Sequence, residues 1–160
     1  MSESKQVPEY GILKAYLDAD DWRYEEVPGK AAFRANEDTE LCTLTYYFQL
    51  FEGHHQFGFY IVPNLEIGPE LLDAVVEYTT RVNCGLRIGN FEVCHDVPNV
   101  SFKSSFCYDG INLTPELLNA AVQPAISAFT EFFPGLATVM TGVLTPEQAL
   151  DELKSSGSGE

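Results

Sequence analysis

The sequence predicts an α+β fold: an antiparallel sheet with helices packed mainly on one face, in the order helix, strands, helix, two strands, long helix. Three observations predict it. Pro-Glu occurs four times, at Pro8, Pro69, Pro115 and Pro146, each time ahead of an amphipathic run. A proline at the first helical position followed by an acid is a helix start. Between these starts lie segments rich in Thr, Tyr, Phe and Val, joined by short turn signals, which is the pattern of hairpin-connected strands. The strand–helix–strand rhythm of a parallel sheet is missing. A chain of 160 residues, 45% of them hydrophobic, suits one core. Residues 8–144 are expected to form one domain, after a flexible stretch at residues 1–7.

The first helix is expected over Pro8–Leu17, with Tyr10, Leu13, Tyr16 and Leu17 on one face. Asp18, Asp20 and Asp21 end it, because negative charge opposes the helix dipole at a C-terminus. Trp22–Val27 alternates with period two, and Pro28-Gly29 turns it into a return strand at Ala32–Arg34. Asn36–Glu40 reads as a polar acidic loop. Leu41–Phe51 then reads as a long strand. Cys42, Leu44, Tyr46, Phe48 and Leu50 form its apolar face, turned towards helices. Thr43, Thr45, Tyr47, Gln49 and Phe51 form a mixed second face, thinly exposed or covered by a partner. Glu52–His55 is the hairpin turn, Gln56–Val62 the returning strand, and Pro63 its stop. Pro69–Val82 follows as an amphipathic helix with Leu72, Val75, Val76, Thr79 and Val82 inward. Arg87–Asp96 and Asn99–Tyr108 are two more strands, joined at Val97-Pro98.

The stretch from Thr114 to Leu144 is the most apolar of the chain. Thr114 is a cap, Pro115 suits the first helical position, and Glu116 complements the dipole. Leu118, Val122, Ala125, Phe129, Phe132 and Leu136 make one stripe, while Leu117, Ala121, Ala128 and Phe133 point elsewhere on the cylinder. A helix apolar nearly all round is buried on two sides. The expectation is that one side packs on the sheet and the other meets a second protein surface. Leu117, Ala121, Ala128 and Phe133, with Tyr47 and Phe51 of the long strand, are therefore the expected interface. Pro124 should kink the helix near Asn119–Ala121, and Pro134-Gly135 should end or bend it. Gln123, Pro124, Glu131 and Pro134 interrupt the run too often for a membrane span. Thr145 and Gln148 make a capping box for a short last helix over residues 145–154, and residues 155–160 read as a disordered tail.

The formal net charge is −15, and no Lys or Arg occurs from Ala35 to Thr80 or from Ser104 to Leu153. Such a surface repels phosphate backbones, so neither nucleic acid nor an anionic membrane is an expected partner. The first residues lack the apolar core of a signal sequence, which points to the cytoplasm. There the four cysteines, none in a close Cys-x-x-Cys pair, read as small buried apolar residues. His54 and His55 are adjacent in a turn and read as polar loop residues. In the run Cys94-His95-Asp96, a strand sends the thiol and the imidazole to opposite faces, which defeats a nucleophile–base contact. The acids Asp18, Asp20, Asp21, Glu25 and Glu26 lack the spacing of a calcium loop, and no glycine pattern cradles a phosphate. No catalytic residue, metal site or cofactor is expected.

Asn83-Cys84-Gly85-Leu86-Arg87-Ile88-Gly89-Asn90-Phe91-Glu92 leaves a helix and enters a strand. Gly85 sits where a helix ends on a left-handed residue, Gly89 permits a tight approach, and Phe91 enters the core. This segment resembles the signature of the YbjN family of bacterial proteins, in which a helix ends in N…L-x-x-G-x-F-E before a strand pair and a long helix. Trp22–Glu25, Pro63 and Thr114–Leu117 fit the same family, and the likeness covers roughly Ile12–Met140. The resemblance implies a fold similar to type III secretion chaperones, whose dimers hold partner polypeptides, and a regulatory label with no catalytic motif attached. The expected function is a non-enzymatic regulatory module, a chaperone-like homodimer holding a partner polypeptide. The alternative is a small-ligand sensor with an apolar pocket between the sheet and the long helix, among Trp22, Tyr24, Phe33, Tyr46, Phe48 and Phe59.

Overall fold

A computed structural model describes residues 7–157. All four Pro-Glu pairs open helical segments. Helix α1 spans Pro8–Ala19, α3 Pro115–Met140 and α4 Pro146–Gly157, while Pro69–Leu71 forms a single 3-10 turn that feeds α2, Leu72–Asn83. The strands are β1 Tyr24–Glu26, β2 Ala32–Asp38, β3 Thr43–Phe51, β4 Gln56–Pro63, β5 Asn90–Cys94 and β6 Asn99–Cys107. They form one six-stranded sheet in the order β1-β2-β3-β4-β6-β5. Every neighbouring pair is antiparallel. This is the expected α+β architecture.

The alternation foreseen for β3 is present: Leu44, Tyr46, Phe48 and Leu50 are buried, and the residues between them are half-buried. The buried set faces Phe57, Phe59 and Ile61 of β4 and Val100 and Phe102 of β6, and these rings and aliphatics form the core with the helices. Tyr10 of α1 lies against Phe33 with ring centroids 4.9 Å apart and planes tilted by 30°, and Trp22 meets Phe48 edge-on at 5.0 Å. The aromatic residues proposed as a possible pocket lining are therefore mostly ordinary core.

Three local expectations are corrected. Asn36–Asp38 is strand, not loop, because each polar side chain finds a cross-strand partner on β3. The Thr45 hydroxyl donates to Asn36 Oδ1 at 2.9 Å, Thr43 donates to Asp38 Oδ1 at 2.7 Å, and Tyr46 donates to Glu37 Oε2 at 2.5 Å. Such pairs outweigh the weak strand propensity of Asn, Asp and Glu. Helix α3 does not end at Pro134-Gly135 but continues through both Pro124 and Pro134 to Met140. The carbonyls deprived of donors belong to Ala120 and Thr130, both exposed residues, so the loss falls on the solvent side of the helix, where it costs least. Residues 155–157 continue α4 rather than beginning a tail; residues 158–160, like 1–6, lie outside the described part.

The greasiness of α3 is absorbed within one chain. It packs on β4 and β6 and is flanked by α1, α2 and α4. Leu118, Ala121, Val122, Ala125, Phe129, Phe133, Leu136, Ala137, Val139 and Met140 are all buried. The premise that a second polypeptide must cover this helix does not hold. Its outer strip is polar, through Gln123, Ser127 and Glu131.

Burial raises the phenols of Tyr46 and Tyr78, and burial aided by Asp18 and Glu26 raises that of Tyr24 to about 12. A phenol with a folded pKa above its unfolded value of about 10 contributes fully below that pH and loses the contribution as pH climbs through the folded pKa. The urea midpoint should therefore fall between about pH 10 and pH 12, and less so in Tyr46→Phe. An alkaline midpoint that rises, or a Tyr46→Phe variant with the same slope, would contradict this account.

Candidate functional site

Among the described residues all four helices pack on one side of the sheet, and no described element covers its other face. The register runs one line of residues across every strand. Glu25 of β1 lies opposite Arg34 of β2, Arg34 opposite Tyr47 of β3, and Tyr47 opposite Tyr60 of β4; Tyr60 then faces Lys103 of β6, and Lys103 faces Asn90 of β5. Each position alternates with a core residue, so the whole row points away from the helices.

The row has a simple electrostatic plan. At one end the Arg34 guanidinium contacts Glu25 at 2.5 Å. At the other the Lys103 ammonium pairs with Glu92, and that hydrogen bond raises the lysine pKa. Both ion pairs are partly exposed, so each adds little stability. Their effect is to cancel charge: two cations and two carboxylates leave this strip neutral on a chain of net charge −15.

Between the ion pairs stand two tyrosines. Tyr60 lies flat along its own strand, since a Cβ built on Gly58 would meet its ring at 2.9 Å. The glycine thus lets an aromatic ring cover the sheet. Two open depressions flank the row. One of about 310 Å³ is bordered by Phe51, Gln56, Lys103 and Cys107, and one of about 550 Å³ by Thr45, Tyr47, Val62, Leu65 and Val97. The arrangement presents flat apolar and aromatic area with polar edges. It suits contact with another surface more than it suits bond-breaking chemistry.

Tyr47 and Phe51 stand on this face, half-buried by their neighbours. The residues assigned to the interface from α3 are not brought near it. Ala121 and Phe133 are buried in the core, so neither presents the outward side chain that the expected helix-to-helix contact needs. Leu117 and Ala128 are half-buried on the helix layer, on the opposite side of the sheet. Tyr60, Arg34 and Lys103 were missed, because only strand pairing reveals that they share a row.

The other candidates stay apart. His55 adopts a left-handed φ of 49° and its Nδ1 lies 3.3 Å from Asp109, while His54 is a separate exposed residue. Cys84, Cys94 and Cys107 are exposed and Cys42 half-buried, which corrects the expectation that the thiols are core residues. Among the described residues no three His, Cys, Asp or Glu side chains gather as a metal site, and no helix is long and apolar enough to cross a membrane.

The family signature has a structural explanation. Asn83, the last residue of α2, grips the backbone of Phe91 on the edge strand β5. Phe91 N–H donates to Asn83 Oδ1 at 2.8 Å, and Asn83 Nδ2 donates to the Phe91 carbonyl at 3.0 Å. The amide thus takes the place of a missing neighbouring strand and covers an open edge.

A family match and one solved structure agree with this architecture. The model of the YbjN family, described as "Putative bacterial sensory transduction regulator", matches residues 10–138. The crystal structure of YbjN from E. coli, described as "a putative transcription regulator", superposes with a TM-score of 0.58 at 13% identity, over 83% of this chain and 89% of that one. An uncharacterized protein from Methanothermobacter thermautotrophicus gives a TM-score of 0.48 at 13% identity, over 87% of this chain and 97% of that one. No curated protein matches the sequence.

Proposed function

The chain belongs to the YbjN family, and from that premise we propose that it is a non-enzymatic regulatory protein that acts by binding polypeptides, the first of them a second copy of itself. One observation carries the reading: the uncovered sheet face with its charge-cancelled tyrosine row. Two copies, each of net charge −15, repel one another over most of their surfaces. The neutral row is where that repulsion is weakest and where aromatic area is available.

The dimensions fit. Six strands at about 4.8 Å spacing and a central strand of nine residues at about 3.4 Å rise give a face of roughly 24 by 30 Å. This approaches the ~800 Å² per partner of a standard interface. Face-to-face sheets pack about 10 Å apart with interdigitated side chains, which Tyr47, Phe51, Tyr60 and Val62 would supply. The acidic remainder of the surface is then left for a neutral or basic partner polypeptide, in the manner of a chaperone-like regulator.

Sedimentation equilibrium tests the dimer. The protein should be dimeric at micromolar concentration, and added salt should strengthen the dimer by screening the repulsion. Tyr47→Asp with Tyr60→Asp should give monomers, with the helical circular dichroism retained. A wild-type monomer at every concentration and salt would overturn the proposal.

A further inference from the structure

On the helix side of the sheet, remote from the tyrosine row, the mouth between the ends of β2 and β3 and the middle of α3 holds a cavity of about 380 Å³. Leu44, Tyr46, Phe129 and Phe133 form its floor, and all four are buried core residues. Ile126 and Pro134 border it from the helix, and Leu41, 51% exposed, stands at the lip. The volume lies at the small end of the range for ligand sites. It takes one ring system or branched chain, whereas a docked helix needs a groove for several successive anchors.

The polar part of the rim is one-sided in charge. Glu37 and Glu40 border the cavity with Thr39 and Thr130. The bordering stretch from Ala35 to Tyr46 contains no Lys or Arg, and neither does any of α3. The Tyr46 hydroxyl donates to Glu37 Oε2 at 2.5 Å, which holds that carboxylate at the edge of the apolar floor. Arg34, the nearest cation in sequence, points to the opposite face and is engaged with Glu25. An anion entering here meets two carboxylates and no countercharge, and a neutral apolar molecule leaves the rim unused.

We propose that this cavity binds a small organic cation, an apolar ring or branched aliphatic group carrying one ammonium, with the apolar body on Leu44, Phe129 and Phe133 and the ammonium between Glu37 and Glu40. The site is independent of the dimer, since its floor faces the helices. Three probes with one indole body test it: tryptamine, indole-3-propionamide and indole-3-propionate, titrated against the full chain by calorimetry and by amide chemical shifts. Tryptamine should bind about tenfold more tightly than the propionate, the size expected from two exposed carboxylates, with shifts at Leu41, Ile126 and Thr130. Glu37→Gln with Glu40→Gln, a surface change, should collapse that preference. Ile126→Trp should fill the cavity and abolish binding. Equal affinity for all probes, no binding at millimolar concentration, or binding that survives Ile126→Trp would each overturn the proposal.

Discussion

Gly89→Ala should lower the unfolding free energy by roughly 2–5 kcal/mol, the sum of a left-handed backbone penalty and overpacking in a full core. Gly89 adopts φ 76°, and a Cβ there would lie 2.5 Å from the Phe102 ring and 3.0 Å from the Lys103 carbonyl. Neither can retreat. Phe102 is fully buried, with Phe91 edge-on against it at 4.9 Å, and the carbonyl belongs to the sheet ladder. The neighbouring glycine is the control. Gly85 was expected to take the left-handed position at the end of α2, but it is not among the residues of positive φ, and its Cβ would meet nothing closer than 3.7 Å. Gly85→Ala should therefore change stability by less than about 1 kcal/mol. Urea denaturation of both variants decides the matter, and equal midpoints for the two would refute this account of the signature. Asn83→Asp should also destabilise, because it removes the donor to the Phe91 carbonyl and sets a carboxylate beside it.

The pair of glycines shows what was legible in the sequence and what was not. Helix starts were legible because Pro-Glu acts locally, through a missing N–H and a dipole, whatever the tertiary surroundings. The inward set of β3 was legible because a period of two is a property of the strand itself. Which glycine is left-handed depends on where Phe102 sits, and that is fixed by pairing between distant segments. The same holds for the tyrosine row: Tyr47 was picked from its own strand, but Tyr60, Arg34 and Lys103 join it only through register. The reading of Ala121 and Phe133 as interface failed for a related reason. It counted one sheet face against α3 and could not count the flanking α1, α2 and α4, which cover the rest of the cylinder. The cavity beside Glu37 was only generically foreseeable, as a pocket between sheet and long helix, because Asn36–Asp38 was taken for a loop.

Gly135→Ala should lower stability by roughly 1–3 kcal/mol, although alanine in a helix interior normally gains nearly 1 kcal/mol over glycine. The reversal comes from Tyr78. This tyrosine is fully buried between α2 and α3, its hydroxyl donates to the Phe132 carbonyl at 2.8 Å, and a Cβ on Gly135 would stand 2.5 Å from that hydroxyl. Pro134-Gly135, which reads in the sequence as a stop or a bend, is thus a place of close approach, where α3 leaves room for a side chain from α2. The argument is tested by coupling. Tyr78→Phe alone should cost about 1 kcal/mol for one hydrogen bond, since the helix can still bond that carbonyl. In the Tyr78→Phe background the obstructing oxygen is gone, so Gly135→Ala should become much milder. Its coupling with Tyr78→Phe should amount to about 1–2 kcal/mol. Strictly additive effects in the four-variant cycle would mean that the glycine serves the backbone alone. A Gly135→Ala protein more stable than the parent would mean that Tyr78 moves aside at no cost.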